Sequence, residues 1–107
     1  MGVSITFRHM DSSDAIKSYA REKIERTQKY LRAPMDAQLT LSTERHQFVA
    51  EVHLSSGGRQ YHARHESDDM YKSLDLVTDK ILHQISKAHD TAALQSLLRG
   101  KDTWTVD

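Results

Sequence analysis

Tyr19, Lys23, Arg26 and Tyr30 follow one another at intervals of four, three and four residues, the spacing that stacks side chains along one flank of an α-helix. Aromatic and basic groups alternate on that ridge. Cations suit phosphates, and aromatic or guanidinium planes suit the faces of unpaired bases, so the combination fits a nucleic acid. The competing reading is a helix margin with two half-buried tyrosines and two long cations snorkelling outward. A second polar flank recurs at Ser73, Lys80, Gln84 and Lys87, while Arg8 and His9 close the first apolar alternation. Periodicity does not decide which flank borders a groove between helices and which faces an outer edge.

Seven histidines raise the question of a metal. His62 and His65, three apart on a strand, point to opposite faces and cannot chelate together without a bulge. His53 can approach His62 across a hairpin at Gly57-Gly58, but two imidazoles without an acid or thiol beside them make a poor site. The expectation is therefore ordinary surface histidines, with no metal and no cofactor. Catalytic motifs are lacking as well: there is no glycine-rich phosphate loop, nucleophile elbow or His-Glu-x-x-His, and the carboxylates fall mostly on helix surfaces and turns. No catalytic residue is expected, and the chain reads as a non-enzyme.

The elements that must hold these residues can be read from hydrophobic periods. Val3, Ile5 and Phe7 alternate with Ser4, Thr6 and Arg8 as a strand with one buried face. Ser12 or Ser13 caps a first helix whose core stripe is Ile16, Ala20, Ile24, Thr27 and Leu31, with Pro34 preventing its continuation. Ala37 to Thr43 alternate as a second strand, Glu44 to Gln47 make a turn, and Phe48, Ala50, Val52 and Leu54 mark a third. Ser55-Ser56-Gly57-Gly58 signals a hairpin into a fourth strand with Tyr61, Ala63 and His65.

The stretch Ser67 to Lys87 organises the rest. Met70, Leu74, Val77, Ile81 and Ile85 recur every three or four residues, and Tyr71, Thr78 and Leu82 widen the stripe. Ser67 or Asp68 can cap this helix, with Asp68 and Asp69 at the positive end of its dipole. The order β-α-β-β-β-α predicts an α+β fold: a four-stranded mixed sheet, its first two strands parallel across a right-handed crossover, with two parallel helices on one face. The other face would carry Gln38, Thr40, Ser42, Val49, Glu51 and His53, polar enough to stay wet. Thr91, Leu94, Leu97, Leu98 and Gly100 suggest one more short helix, and Lys101 to Asp107 a tail with the single tryptophan, Trp104. The chain divides into one domain, residues 1–90, and a tail, residues 91–107.

With 107 residues such a domain can bury roughly 65% of the surface of its unfolded chain. Cysteine is absent, which removes disulfides and thiolate chemistry and favours a cytoplasmic setting. No apolar run reaches the roughly 20 residues that span a bilayer, so no membrane partner is expected. The opening Met-Gly-Val-Ser-Ile-Thr fits a loose N-myristoylation pattern, but the strand accounts for Val3 and Ile5 equally well. Formal charge is zero, against a generic polyanion binder, yet it is unevenly spread. Residues 1–35 hold seven bases and four acids, residues 36–69 three bases and six acids, so a basic face remains available.

At these residues the sequence resembles the ribosome hibernation factors, the family of the short hibernation promoting factor and ribosome-associated inhibitor A, also called sigma-54 modulation proteins. The resemblance covers residues 3–89. It rests on Ser13-Asp14-Ala15-Ile16 with Glu22-Lys23-Ile24, Leu41-Ser42-x-Glu44, Ala50-Glu51-Val52-His53-Leu54 with Gly57-Gly58, and above all Asp69-Met70-Tyr71-x-x-Leu74-Asp75 followed by Asp79-Lys80-Ile81 and Gln84. It implies a fold related to double-stranded RNA-binding domains. It also implies binding to the small ribosomal subunit, in the channel of messenger and transfer RNA, and inhibition of translation in stress or stationary phase. Carried over by position, contact with ribosomal RNA falls to Arg8, Lys23, Arg26, Lys29, Lys80 and Lys87, and further to Arg45 and His83. Asp69 and Tyr71 match the family motif as fold determinants. No small-molecule substrate is implied, and away from the ribosome the expectation is a monomer.

The sequence departs from the family pattern after Lys87, where Ala88-His89-Asp90 replaces a basic run. The chain is also too short for the C-terminal domain with which long forms pair ribosomes, although Leu94 to Asp107 has the length of a tail that could block such pairing. A second reading, a protein-interaction module acting on a transcription (sigma) factor, draws on the neutral charge and the polar sheet face.

Overall fold

Alternating burial builds the sheet and three-to-four-residue periodicity covers it. In the computed structural model the described residues, 2–89, form β1 (Gly2–Arg8), α1 (Asp14–Glu25), a 3-10 helix (Arg26–Tyr30), β2 (Met35–Glu44), β3 (Gln47–Ser56), β4 (Arg59–Ser67) and α2 (Met70–His89). The sheet order is β1-β2-β3-β4. β1 lies parallel to β2 with Val3 opposite Ala37, and β2, β3 and β4 form an antiparallel meander. The expected α+β architecture is the one observed. The short helix expected around Leu94 to Leu98, and the tail with Trp104, lie outside the described residues.

One core lies between sheet and helices. From the sheet it takes Leu39, Leu41, Ala50, Val52 and Leu54, from α1 Ala20 and Ile24, and from α2 the whole predicted stripe, Met70, Leu74, Val77, Ile81 and Ile85, each 3% exposed or less. Thr78 and Leu82 widen that stripe as expected, whereas Tyr71 is 39% exposed. Asp69 is the residue that starts α2: its carboxylate accepts the Tyr71 N–H at 3.0 Å, and its carbonyl accepts the Ser73 N–H. Ser67, expected as a cap, sits one step back and bonds Asp69 itself, at both its N–H and its carbonyl. Ser13 caps α1, accepting from the Ile16 N–H.

Two expectations need correction. The first helix does not run α-helically to Leu31. At Arg26 the backbone N–H is shared between the Glu22 and Ile24 carbonyls, the Thr27 hydroxyl donates to the Ile24 carbonyl at 2.6 Å, and the chain tightens into the 3-10 helix. The Gln28 side chain then bonds the Ala33 carbonyl and the Met35 N–H, tying this turn to the start of β2. Leu31 is extended yet remains core, so the stop precedes Pro34. The open sheet face is also drier than its composition suggests: Val49 is 2% and Ser42 5% exposed. Arg64, ion-paired to Glu44 and Glu66, lines the same depression as Val49 and Arg8, and the stems of such long side chains cover apolar surface well.

Both hairpins have two-residue turns that require positive φ. At Gly57 (φ 57°) and Gly58 (φ 81°) glycine meets this freely, and a side chain on Gly57 would come 3.1 Å from Ala33 Cβ. The β2–β3 turn places Arg45 (φ 52°) and His46 (φ 69°) there instead, a left-handed backbone that costs such residues roughly 1–2 kcal/mol each.

Candidate nucleic-acid interface

The α1 ridge lies in the groove between the helices. Tyr19 reaches across to α2, donating its phenol proton to Asp75 Oδ1, and its ring meets Tyr71 edge-on with centroids 4.9 Å apart. The Lys23 ammonium pairs with the same Asp75 oxygen at 3.0 Å and lies 5.8 Å from the Tyr19 ring centre. One turn on, Arg26, Lys29 and Tyr30 line a depression shared with Thr78, Asp79 and Leu82 of α2. Tyr19 against Tyr71 and Tyr30 beside Leu82 show that the helices run in the same direction, so their C-terminal ends lie together. The bond to Asp75, then burial, then the negative charge of Asp75 push the Tyr19 phenol up to about 12. Deprotonation there would put a second anion against a carboxylate.

The second flank faces the outer edge of β4. The Gln84 side-chain amide accepts from the His62 N–H and donates to the His62 carbonyl, taking the place of a fifth strand. Lys80 donates to the Arg64 carbonyl at 3.0 Å. Ser73, expected on this flank, is fully buried, bonding Ser67 and the Phe48 carbonyl. At the opposite edge Arg21 donates to the Val3 carbonyl of β1. An unpaired edge is a template for another strand, and helix side chains occupy part of both edges.

The eight predicted contact residues do not form one patch. Arg26, Lys29 and Lys87 are exposed towards the C-terminal ends of the helices; Arg26 pairs with Glu22 of its own helix at 2.6 Å, and the Lys29 ammonium sits 5.3 Å from the Tyr30 ring centre. His83, also exposed, lines the depression beside β4 with Lys80 and Lys87. Lys23 and Lys80 are half-buried and held by Asp75 and the Arg64 carbonyl. Arg8 ends β1 and Arg45 tips the β2–β3 turn, both at the far end where the helices begin.

Sequence reasoning missed Asp75, the carboxylate that organises the groove, because nothing local in the α2 sequence says that it faces α1. It also missed an acid beside the histidines. Counting outward from the Gly57-Gly58 turn sets His53 opposite His62 and Glu51 opposite Arg64. Glu51 Oε2 is 2.7 Å from His62 Nε2 and 3.7 Å from His53 Nε2. The hydrogen bond with His62, helped by the nearby charges of His62, His53 and Arg64 and opposed by burial, holds the Glu51 carboxyl below its ordinary value. The two imidazoles therefore do have a carboxylate beside them, contrary to expectation.

Comparison with known proteins agrees with this architecture. The chain is 31% identical over 87 residues to a ribosome hibernation promoting factor of Azotobacter vinelandii, covering 81% of each chain. It is 35% identical over 78 residues to one of Acidithiobacillus ferridurans, covering 70% of this chain and all of the relative. Among solved structures, the N-terminal domain of Thermus thermophilus Protein Y superposes with a TM-score of 0.77 at 23% identity, covering 83% of this chain and all of that one. A ribosomal subunit interface protein from Coxiella burnetii gives 0.75, also at 23%, covering 85% of this chain and all of its own. Residues 3–92 match the family described as Sigma 54 modulation protein / S30EA ribosomal protein, and the chain belongs to that family.

Proposed function

We propose that this protein is a ribosome hibernation factor that sits on the small ribosomal subunit and excludes messenger and transfer RNA by occupancy, without catalysing a reaction. Family membership across residues 3–92 carries the reading, and the relatives named above are called hibernation promoting factors. Arg26, Lys29 and Lys87 are the groups best placed to meet ribosomal phosphates, being exposed on the helix layer. Redirecting Arg26 costs little, since an exposed pair four residues apart on a helix contributes only about 0.3–0.5 kcal/mol. Arg8, Arg45 and His83 extend the contact; Lys23 and Lys80 join it at the expense of Asp75 and the Arg64 carbonyl. The cytoplasm is the corresponding location, and no helix among the described residues is long and apolar enough to cross a membrane.

Replacing Arg26, Lys29 and Lys87 together by glutamate, all three exposed, should abolish co-sedimentation with small subunits while leaving the circular dichroism spectrum unchanged. Retained binding would refute the assignment of these cations. For the unaltered protein, log K should fall with log salt by about 0.9 per phosphate neutralised. A flat response would instead favour a neutral protein interface such as a sigma factor, a reading that the names of these relatives do not support.

A further inference from the structure

The open sheet face, opposite the helices, carries a cluster that the ribosome reading does not use. His53 and His62 stand directly opposite each other on β3 and β4, their rings stacked with centroids 4.3 Å apart, and Glu51 precedes His53 by two residues on the same face. One donor atom from each of the three lies within 4.8 Å of the others. We propose that Glu51, His53 and His62 form a binding site for a divalent late first-row transition ion, with zinc as the test case.

The chemistry and the frame both favour it. A tetrahedral zinc ion with bonds of about 2.0–2.1 Å needs donors roughly 3.4 Å apart, and the carboxylate oxygen already sits at 2.7 and 3.7 Å from the two imidazole nitrogens. Two imidazoles with one carboxylate and no thiolate suit zinc, copper or nickel rather than calcium or magnesium. The backbone positions are fixed by ladder pairing of neighbouring strands, so closing the site requires side-chain adjustment alone. Each ring must carry its proton on Nδ1, leaving Nε2 free to ligate, and the ion then replaces the hydrogen bond between His62 and Glu51. Arg64, opposite Glu51, is the cation nearest to compete, but its guanidinium is paired with Glu44 and Glu66. His53 and His62 also line a depression on this face with Ser4, Gln38 and Gln60, and water from it would complete the coordination. The ion would staple β3 to β4 beside their hairpin.

The test is calorimetric titration of the chelator-treated full-length protein with zinc alone at neutral pH, with cobalt absorption and imidazole NMR as structural readouts. One equivalent should bind at micromolar concentration, cobalt should give intense tetrahedral bands, and the His53 and His62 ring signals should shift together. His53→Gln and His62→Gln should each weaken binding more than tenfold, and Glu51→Gln about tenfold, with unchanged circular dichroism because all three side chains are solvent-accessible. Binding only at millimolar zinc, undiminished affinity in any of the three variants, or shifts confined to other histidines would overturn the site. The outcome is independent of ribosome binding, which is not measured in any of these experiments.

Discussion

The two polar flanks of the helix layer look alike in sequence and act differently in the fold. On the groove side, Tyr19 and Lys23 of α1 converge on one Asp75 oxygen, and the neighbouring cations Arg26 and Lys29 stay exposed. On the outer side, Lys80 and Gln84 of α2 turn back onto the β4 backbone. The difference is in the partner: a second helix offers side chains and leaves a groove that a ligand can enter, whereas an edge strand offers unsatisfied N–H and C=O groups that attract any donor or acceptor within reach. A basic or amide residue on a helix flank is therefore as ready to guard a sheet edge as to bind RNA.

Both flanks rest on the buried stripe of α2, and disturbing that stripe has the largest expected effect. Leu74 lies fully buried beneath the centre of α2, and Leu74→Ala should lower stability by about 2–5 kcal/mol in urea unfolding, loosening groove and edge together. A loss below about 0.5 kcal/mol, the scale of an unremarkable surface substitution, would mean that the helix is not held as described.

A smaller effect isolates the edge. Gln84→Ala deprives the His62 N–H and carbonyl of their side-chain partner and should cost about 1 kcal/mol, with increased self-association at high concentration as the β4 edge opens. Sedimentation velocity reads the second effect, and a variant as monodisperse as the parent would demote Gln84 from guard to bystander.

An effect of similar size isolates the groove. Tyr19→Phe removes the bond to Asp75 and should cost about 0.5–1.5 kcal/mol. In the unaltered protein the Tyr19 phenol should ionise near 12, above the ordinary tyrosine value of 10.0, as a late step in an ultraviolet pH titration that the variant lacks. A group whose pKa is raised by folding stabilises the fold fully below its unfolded pKa and loses that contribution as pH rises through the folded one. From neutral pH, where carboxylates are ionised, the advantage of tyrosine over phenylalanine should thus be constant up to about pH 10 and vanish above about 12. An advantage that persists above 12 would detach the stability from the hydrogen bond.

The same contrast runs through the histidines. His62 and His65 sit on opposite faces, as alternation requires, and His53 meets His62 across the hairpin as the Gly57-Gly58 turn predicts. The acid that completes the cluster was legible by the same counting, since Glu51 lies two residues before His53; it went unnoticed because the cluster spans two strands and no contiguous motif announces it.

Hydrophobic periods along the chain suffice to say which face of each element packs into the core. The alternation of Leu39, Leu41, Val52 and Leu54 and the stripe from Met70 to Ile85 follow from the local geometry of strands and helices, and they suffice for the order, the sheet and the core. What the polar flanks meet is a matter of packing: Asp75 faces Tyr19, Gln84 covers β4, and the first helix tightens from Arg26 to reach Met35. Those outcomes depend on the rotation and spacing of elements distant in the chain, which many weak contacts set together, and no period in a single segment encodes them.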